Sequence, residues 1–342
     1  MHMADALLSP AVGAAMWVAS GGLMAYSSRK VKKELDERKI PLMGVVGAFV
    51  FAAQMINFTI PGTGSSGHLG GGIMLAILLG PHAGFLTIAS VLTVQALFFA
   101  DGGLLALGAN IFNLGFFPCI VTYPLIYKKV SGEGLSKGRI LAGALAAAVM
   151  GLQLGAFGVV VETLFSGITE LPFITFLLLM QPIHLAIGIV EGMVTAAVVV
   201  FVWRARPEIL EMARANRPIG NLSLRKVLGG FLVAAVLTGG GLSWFASAYP
   251  DGLEWSMFRI SGKEEFKAPD QGIHATLGRV QEKTALLPGY GFKDPKASGA
   301  EEEETWSAVD PGRSVSGLVG GALTLALSIL IGLILKKRRR TV

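Results

Sequence analysis

The sequence predicts an all-α polytopic membrane protein: a bundle of seven spans, then a two-helix hairpin carrying an external segment. Three observations lead there. Hydrophobic residues make up 52% of the 342 residues and charged residues 15%, where a soluble domain carries about 25% charge. Apolar runs near the length that crosses a bilayer, about 20 residues, recur along the chain. Lys and Arg collect after alternate runs and are absent from within them. Mean hydropathy is +0.61, and the 45 glycines suit helices that pack closely in lipid.

The runs lie near 8–27, 42–58, 68–81, 83–100, 104–127, 140–161, 171–203, 227–247 and 315–335. The third is short and glycine-rich, which predicts an irregular start. The seventh is too long for one straight span, so its front, up to Gln181-Pro182, is expected to form a separate interfacial or broken segment. Arg29, Lys30, Lys32, Lys33, Arg38 and Lys39 follow the first run, and Lys128, Lys129, Lys137 and Arg139 the fifth. Arg204, Arg206, Arg214, Arg217, Arg225 and Lys226 follow the seventh, and Lys336 to Arg340 the ninth. By the positive-inside rule these segments are cytoplasmic. The N-terminus is then outside, the C-terminus inside, and the parity fits nine spans. No basic residue precedes the first run, which argues against a cleaved signal peptide. The net charge of +6 is a signal of topology rather than of a nucleic-acid partner.

A charged, proline-containing linker at 204–226 divides the chain into a membrane domain, 1–224, and a second unit, 225–342. The helices of the second unit, at about 227–247 and 315–335, flank the external segment 248–314. That segment is polar, carries the acidic run Glu301 to Glu304, and reads as a small domain or a partly ordered loop. Cys119 is the single cysteine and lies in an apolar stretch, which excludes a disulfide framework and a multi-cysteine metal site.

Chemistry concentrates at the start of the chain. A His at position 2 offers one ion three nitrogens: the α-amine of Met1, the backbone amide of His2 and Nδ1 of its ring. Amine to amide closes a five-membered chelate ring, and amide to Nδ1 a six-membered one. Ni²⁺ or Cu²⁺ can displace the amide proton and take such nitrogens in a plane. The chelate requires a chain that begins at Met1; a bulky second residue discourages removal of the initiator Met. Met-His also opens many chains by chance, so the pair needs a partner.

His68 is the candidate fourth ligand. It sits in Pro61-Gly-Thr-Gly-Ser-Ser-Gly-His-Leu-Gly-Gly-Gly72, where six glycines permit close backbone approach. Irregular backbone at membrane depth is tolerated where protein covers it, so the loop is expected to fold inward. The bland alternative is a flexible external loop with an incidental His. The stretch lacks the Gly-Lys-Ser/Thr ending of a phosphate-binding loop, as does the rest of the chain. His184 and Glu191, seven residues apart in Pro182-Ile-His-Leu-Ala-Ile-Gly-Ile-Val-Glu-Gly-Met193, share one helix face. Ionisable groups inside a membrane are functional suspects, although a buried pair that fixes packing is the plainer reading. Gln54, Asn57, Gln95, Asn110, Asn113 and Gln153 are further intramembrane polar residues, some placed to orient His2 or His68. Asp5 is positioned to tie the N-terminal segment down. His82 and His274 read as surface residues.

Three stretches together resemble a known family: Met1-His-Met-Ala-Asp-Ala-Leu-Leu-Ser-Pro10, the loop ending Ser-Gly-His-Leu-Gly-Gly-Gly72, and His184-Leu-Ala-Ile-Gly-Ile-Val-Glu-Gly192. The family is the nickel/cobalt substrate-capture component of energy-coupling factor transporters, a branch of the ABC importers. The tail, with Tyr249-Pro-Asp-Gly-Leu-Glu-Trp255, resembles that family's small auxiliary membrane component, fused here to the capture component. The resemblance implies a six-helix core with an extra N-terminal helix, an N-terminus tucked into the bundle from outside, and location in a bacterial or archaeal cytoplasmic membrane. It implies a metal site made by the amine of Met1, the amide and ring nitrogens of His2, and His68. It implies Ni²⁺ or Co²⁺ as transported substrate, with no resident cofactor and no catalytic residue. A separate transmembrane coupling protein and a pair of ABC-type ATPases are the implied partners. Small residues of the first span, Ala14-Ala15 and Gly21-Gly22, would permit close docking. Cobalt members open more often with Met-His-Ile-Met-Glu-Gly; the departure here leans toward nickel.

Two other classes compete. An intramembrane metalloenzyme built on His184 and Glu191 lacks a His-Glu-x-x-His pair and three or four well-spaced ligands. A self-sufficient secondary carrier lacks the matched pair of broken segments such carriers often show.

Overall fold

A computed structural model describes residues 2–34, 38–132, 134–293 and 309–340. A short turn of 3₁₀-helix at Asp5–Leu7 precedes α1 (Pro10–Glu34) and α2 (Lys39–Gln54). Strands β1 (Phe58–Ile60) and β2 (Ser65–Gly67) form an antiparallel hairpin, with Thr59 opposite Ser66. Then come α3 (Gly72–Leu79), α4 (Pro81–Phe98), α5 (Leu107–Ser131), α6 (Lys137–Ser166), α7 (Phe173–Ala205) and α8 (Pro207–Ala215). The second unit contributes α9 (Arg225–Gly240), α10 (Gly252–Ser261), α11 (Gly272–Thr284) and α12 (Pro311–Arg340). Helices α4, α5, α6, α7 and α12 are long and apolar enough to cross a membrane. Met1 and the acidic run Glu301 to Glu304 lie outside the described residues.

Helices α6 and α7 form a long pair. Gly188 and Gly192 make it close: a Cβ on either would meet the backbone of Val149 or Leu145. Their outward faces expose Leu141, Met150, Phe157, Leu178, Leu185 and Met193, the apolar surface a bilayer covers. Helix α2 is buried at every residue from Leu42 to Gln54 because α9 and α12 pack on it. Ser328 and Thr324 lie against Gly47, and Ile329 against Gly44. The fused hairpin thus completes the burial of a helix in the first unit.

One element departs from the sequence expectation. Residues 171–203 do not divide at Pro182: α7 runs unbroken for 33 residues, about 50 Å at helical rise. Beside the proline, Gln153 Nε2 of α6 donates to Gln181 O at 2.8 Å and Gln181 Nε2 returns to Gln153 O at 3.2 Å. As the glycine run leads one to expect, the third run starts irregularly and supplies a helix of only eight residues, about 12 Å. In α5 the hydrogen bonds widen to π-helical spacing over Phe112–Tyr127, where Pro118 and Pro124 each remove a donor.

The two ends of the bundle differ in chemistry. Lys128 Nζ donates to Arg214 O at 3.0 Å, Arg214 Nη2 to Lys128 O at 2.9 Å, and Arg38 Nη1 to Leu222 O. The basic segments after the first, fifth and seventh spans therefore meet at one end. The N-terminal segment, the β-hairpin, the 99–106 loop, α10 and α11 meet at the other.

Candidate metal centre

The N-terminal segment is threaded into the bundle rather than lying on it. Met3, Leu7 and Leu8 are fully buried. Asn110 of α5 grips Met3 on both sides: its Oδ1 accepts from Met3 N at 2.8 Å, and its Nδ2 donates to Met3 O at 3.1 Å. Gly103 N donates to Met3 O at 3.0 Å. Asp5 Oδ1 accepts from Ala106 N at 2.9 Å, tying the segment down. His274, read as a surface residue, is buried on α11 and its Nε2 bonds Leu8 O at 2.9 Å. The misreading has a cause: the α11 contact joins residues 266 positions apart. His82 is half-buried against Tyr26, with Nδ1 3.4 Å from Ser27 Oγ.

These anchors set His2 at the mouth of the bundle. Its ring stacks on that of His68, centroids 4.9 Å apart and planes at 21°. His2 Nδ1 lies 2.9 Å from Asp101 Oδ1, and His2 Nε2 is buried with no hydrogen-bond partner. Nδ1, the ring nitrogen of the expected chelate, is thus engaged by a carboxylate. Met1 lies outside the described residues, so its amine is not placed.

The loop bearing His68 is held by polar residues from three helices. Glu191 of α7 accepts from Gly70 N at 2.7 Å and Gly71 N at 3.1 Å. Gln54 Nε2 donates to Gly70 O at 2.8 Å, and Gln95 Nε2 donates to Gln54 Oε1 at 3.0 Å. Gly71 has φ of 75° and its missing Cβ leaves room for Val50, so the loop can turn into α3 here only through glycine. Asn113 and Gln153 lie elsewhere: Asn113 pairs with Glu162, and Gln153 with Gln181. His184 and Glu191 do not touch one another as a pair: Glu191 grips the loop backbone, while His184 Nδ1 bonds Met180 O at 2.8 Å.

Residues whose role the sequence did not reveal complete the surroundings. A cavity of about 240 Å³ is lined by His2, His68, Gln54, Asp101, Asp251, Glu254 and Tyr290, among others. Tyr290 donates to Asp101, and Asp251 Oδ2 lies 3.9 Å from His68 Nε2. Burial opposes the charge on Asp101, but the adjacent His2 ring and the Tyr290 hydroxyl outweigh it and hold the carboxyl below its usual range. Burial lowers His68 to about 3. His68 is therefore a neutral imidazole at physiological pH. Its Nδ1 lies 3.1 Å from Leu69 O; a carbonyl only accepts, so Nδ1 carries the proton and Nε2 the lone pair. Asp101 carried a usable signal, an acid in a glycine-rich turn between two apolar runs. Among the described residues no three His, Cys, Asp or Glu side chains group as a ligand set; what they offer at the mouth is the stacked pair of imidazoles of His2 and His68.

The model of the cobalt uptake substrate-specific transmembrane region matches residues 2–209, and a PDGLE domain matches residues 225–337. The chain belongs to the cobalt uptake family. The fused nickel transport protein NikMN of Rhodobacter capsulatus is 31% identical over 353 residues, covering 98% of this chain and 94% of that protein. The cobalt transport protein CbiM of Sorangium cellulosum is 30% identical over 228 residues, 64% of this chain and 97% of that protein. A crystal structure of a truncated transition metal transporter superposes with a TM-score of 0.53 at 31% identity, covering 60% of this chain and 99% of that one. This member of the cobalt uptake family is accordingly a multi-pass membrane protein of metal transport rather than an enzyme. Its Pro250-Asp-Gly-Leu-Glu254 sequence opens α10, where Asp251 caps the helix and Glu254 completes a capping box.

Proposed function

We propose that the chain captures Ni²⁺ on the outer face of a cytoplasmic membrane and delivers it inward as the substrate-specific component of an energy-coupling factor transporter. The observation that carries this is the stacking of His2 on His68 at the mouth of a bundle that clamps Met3. The ion is held by the α-amine of Met1, the deprotonated amide and Nδ1 of His2, and Nε2 of His68. Half a turn of the His2 ring about Cβ–Cγ frees Nδ1 for the metal and turns Nε2 toward Asp101. That creates the carboxylate–histidine–metal pattern in which a second residue fixes the ring and raises its basicity.

Residues 1–224 form the capture unit and 225–342 the auxiliary unit, with the N-terminus outside and the C-terminus in the cytoplasm. The mouth's neutral imidazole and main-chain nitrogens suit Ni²⁺, which takes nitrogen ligands in a plane. Work is supplied by partners, a transmembrane coupling protein and ABC-type ATPases, since the chain has no phosphate-binding loop. Co²⁺ is the alternative cargo.

The test is a titration of nickel against cobalt on the full chain with an untagged N-terminus, recording absorption. One tightly bound Ni²⁺, yellow and diamagnetic, is expected, with His2→Ala and His68→Ala each losing at least about 100-fold in affinity. A glycine placed ahead of Met1 should do the same by breaking the fused chelate rings. Unchanged nickel binding by that extended protein would sink the reading.

A further inference from the structure

Beside the mouth, and sharing His68 and Asp251 with it, a small cavity of about 10 Å³ lies between the two units, room for about one water-sized group. Its lining includes His68, His184 and Asp251, with Leu114, Leu152 and Ile187 around them. His184 is fully buried on α7, and its Nε2 has no hydrogen-bond partner. Its Nδ1 bonds Met180 O at 2.8 Å. Because that carbonyl can only accept, Nδ1 is the protonated nitrogen and Nε2 keeps its lone pair. His68 has the same arrangement, Nδ1 toward Leu69 O. A His whose far nitrogen is tied to a backbone carbonyl is the usual dress of a metal ligand. A buried nitrogen lone pair with nothing to accept from is otherwise a cost to folding.

The auxiliary unit shapes the same place. A Cβ on Gly252 would stand 2.5 Å from Ile183 Cγ2 and 3.3 Å from His184 Cε1. Glycine there lets the start of α10 seat against His184 and brings Asp251 beside His68.

We propose that His184 is a transit ligand: metal leaving the outer chelate is passed, still held by His68, to Nε2 of His184. The inference rests on the capture reading above. In the handover the ion exchanges the main-chain nitrogens of residues 1 and 2 for an imidazole. The amine and amide then take back from water the protons they lost on binding. His68, His184 and Asp251 border one cavity without closing into a three-ligand group as they stand, which suits a weak position on a path rather than a second store.

The decisive variant is His184→Asn, whose amide can still donate to Met180 O but offers nothing at the Nε2 position. In the full chain it should bind one Ni²⁺ with affinity and spectrum within about twofold of the parent. In cells with the complete transporter, nickel uptake should fall at least about tenfold. Ligation is read directly by pulsed EPR on the His2→Ala protein given one equivalent of Cu²⁺. Two coordinated imidazoles are expected there, and one after His184→Asn is added. If the Asn variant fails to fold, His184→Leu, which also offers no ligand, replaces it in both measurements. Normal uptake by the variant, or an unchanged imidazole count, overturns the transit ligand while leaving the outer site intact. Tight nickel binding by His2→Ala would instead overturn the capture reading itself.

Discussion

At the scale of single residues, the proposed centre depends on groups that are not themselves proposed ligands. Asp101 receives His2 Nδ1 at 2.9 Å and the Tyr290 hydroxyl, so it sets the ring's angle before metal arrives. Asp101→Asn keeps the shape and loses the charge, and losing a group that orients a metal-binding His costs about 10–100-fold in affinity. A fall in that range, with the absorption spectrum retained, is the expected result of nickel titration; no change would mean that Asp101 serves packing alone. The pH dependence follows from which nitrogens carry protons. His68, at about 3, is already neutral and releases none on binding. The α-amine, with an ordinary value of about 7.7–8.0, and the amide both must. Affinity should fall by about tenfold or more per unit as pH drops from 8 to 6. Calorimetry in buffers of different ionisation enthalpy counts the protons released, and pH-independent binding would contradict the amine–amide chelate.

At the scale of elements, the His68 loop is a strand hairpin and a half-helix pinned by a carboxylate from across the bundle. Glu191 binds two backbone amides of that loop. Glu191→Ala leaves both buried and unpaired, at about 1–3 kcal/mol each, whereas Glu191→Gln keeps one acceptor. Thermal unfolding and nickel affinity should both suffer in the order Ala, then Gln, then parent; an alanine variant as stable as the parent would deny the clamp. Much of this architecture was legible in the sequence, because apolar length and basic parity are local signals. The glycine run foretold a chain entering the bundle, and the buried acid two turns from His184 was flagged by its chemistry. What escaped was long-range. Nothing local distinguishes His274, which reaches Leu8, from an exposed His on a polar helix. Pro182 signals a break, yet α7 runs through it, with the side-chain amides of Gln153 and Gln181 each bonding the other's backbone carbonyl beside it. Asp251 was visible as a motif residue, but its approach to His68 depends on Ser66 N donating to Pro250 O at 2.8 Å, across 184 positions of chain.

At the scale of the whole molecule, the question is which end faces the metal supply. The basic segments gather at one end, and His2, His68, α10 and α11 at the other. By the positive-inside rule the proposed orientation has the second end outside, where the proposed capture would take place. If the orientation were reversed, the clamp on Met3 and the stacked imidazoles would open to the cytoplasm, and the same nitrogens would bind metal after import rather than before it. The native thiol helps the test, because Cys119 is fully buried and should stay silent to a membrane-impermeant maleimide. Lys263 follows α10 and Lys137 begins α6, and both are exposed. In intact cells Lys263→Cys should label at once, and Lys137→Cys only after the membrane is permeabilised. Preincubation with Ni²⁺ should leave that pattern unchanged, since loading reorganises the mouth and not the topology. Labelling of Lys137→Cys from outside would invert the molecule and remove the capture function with it.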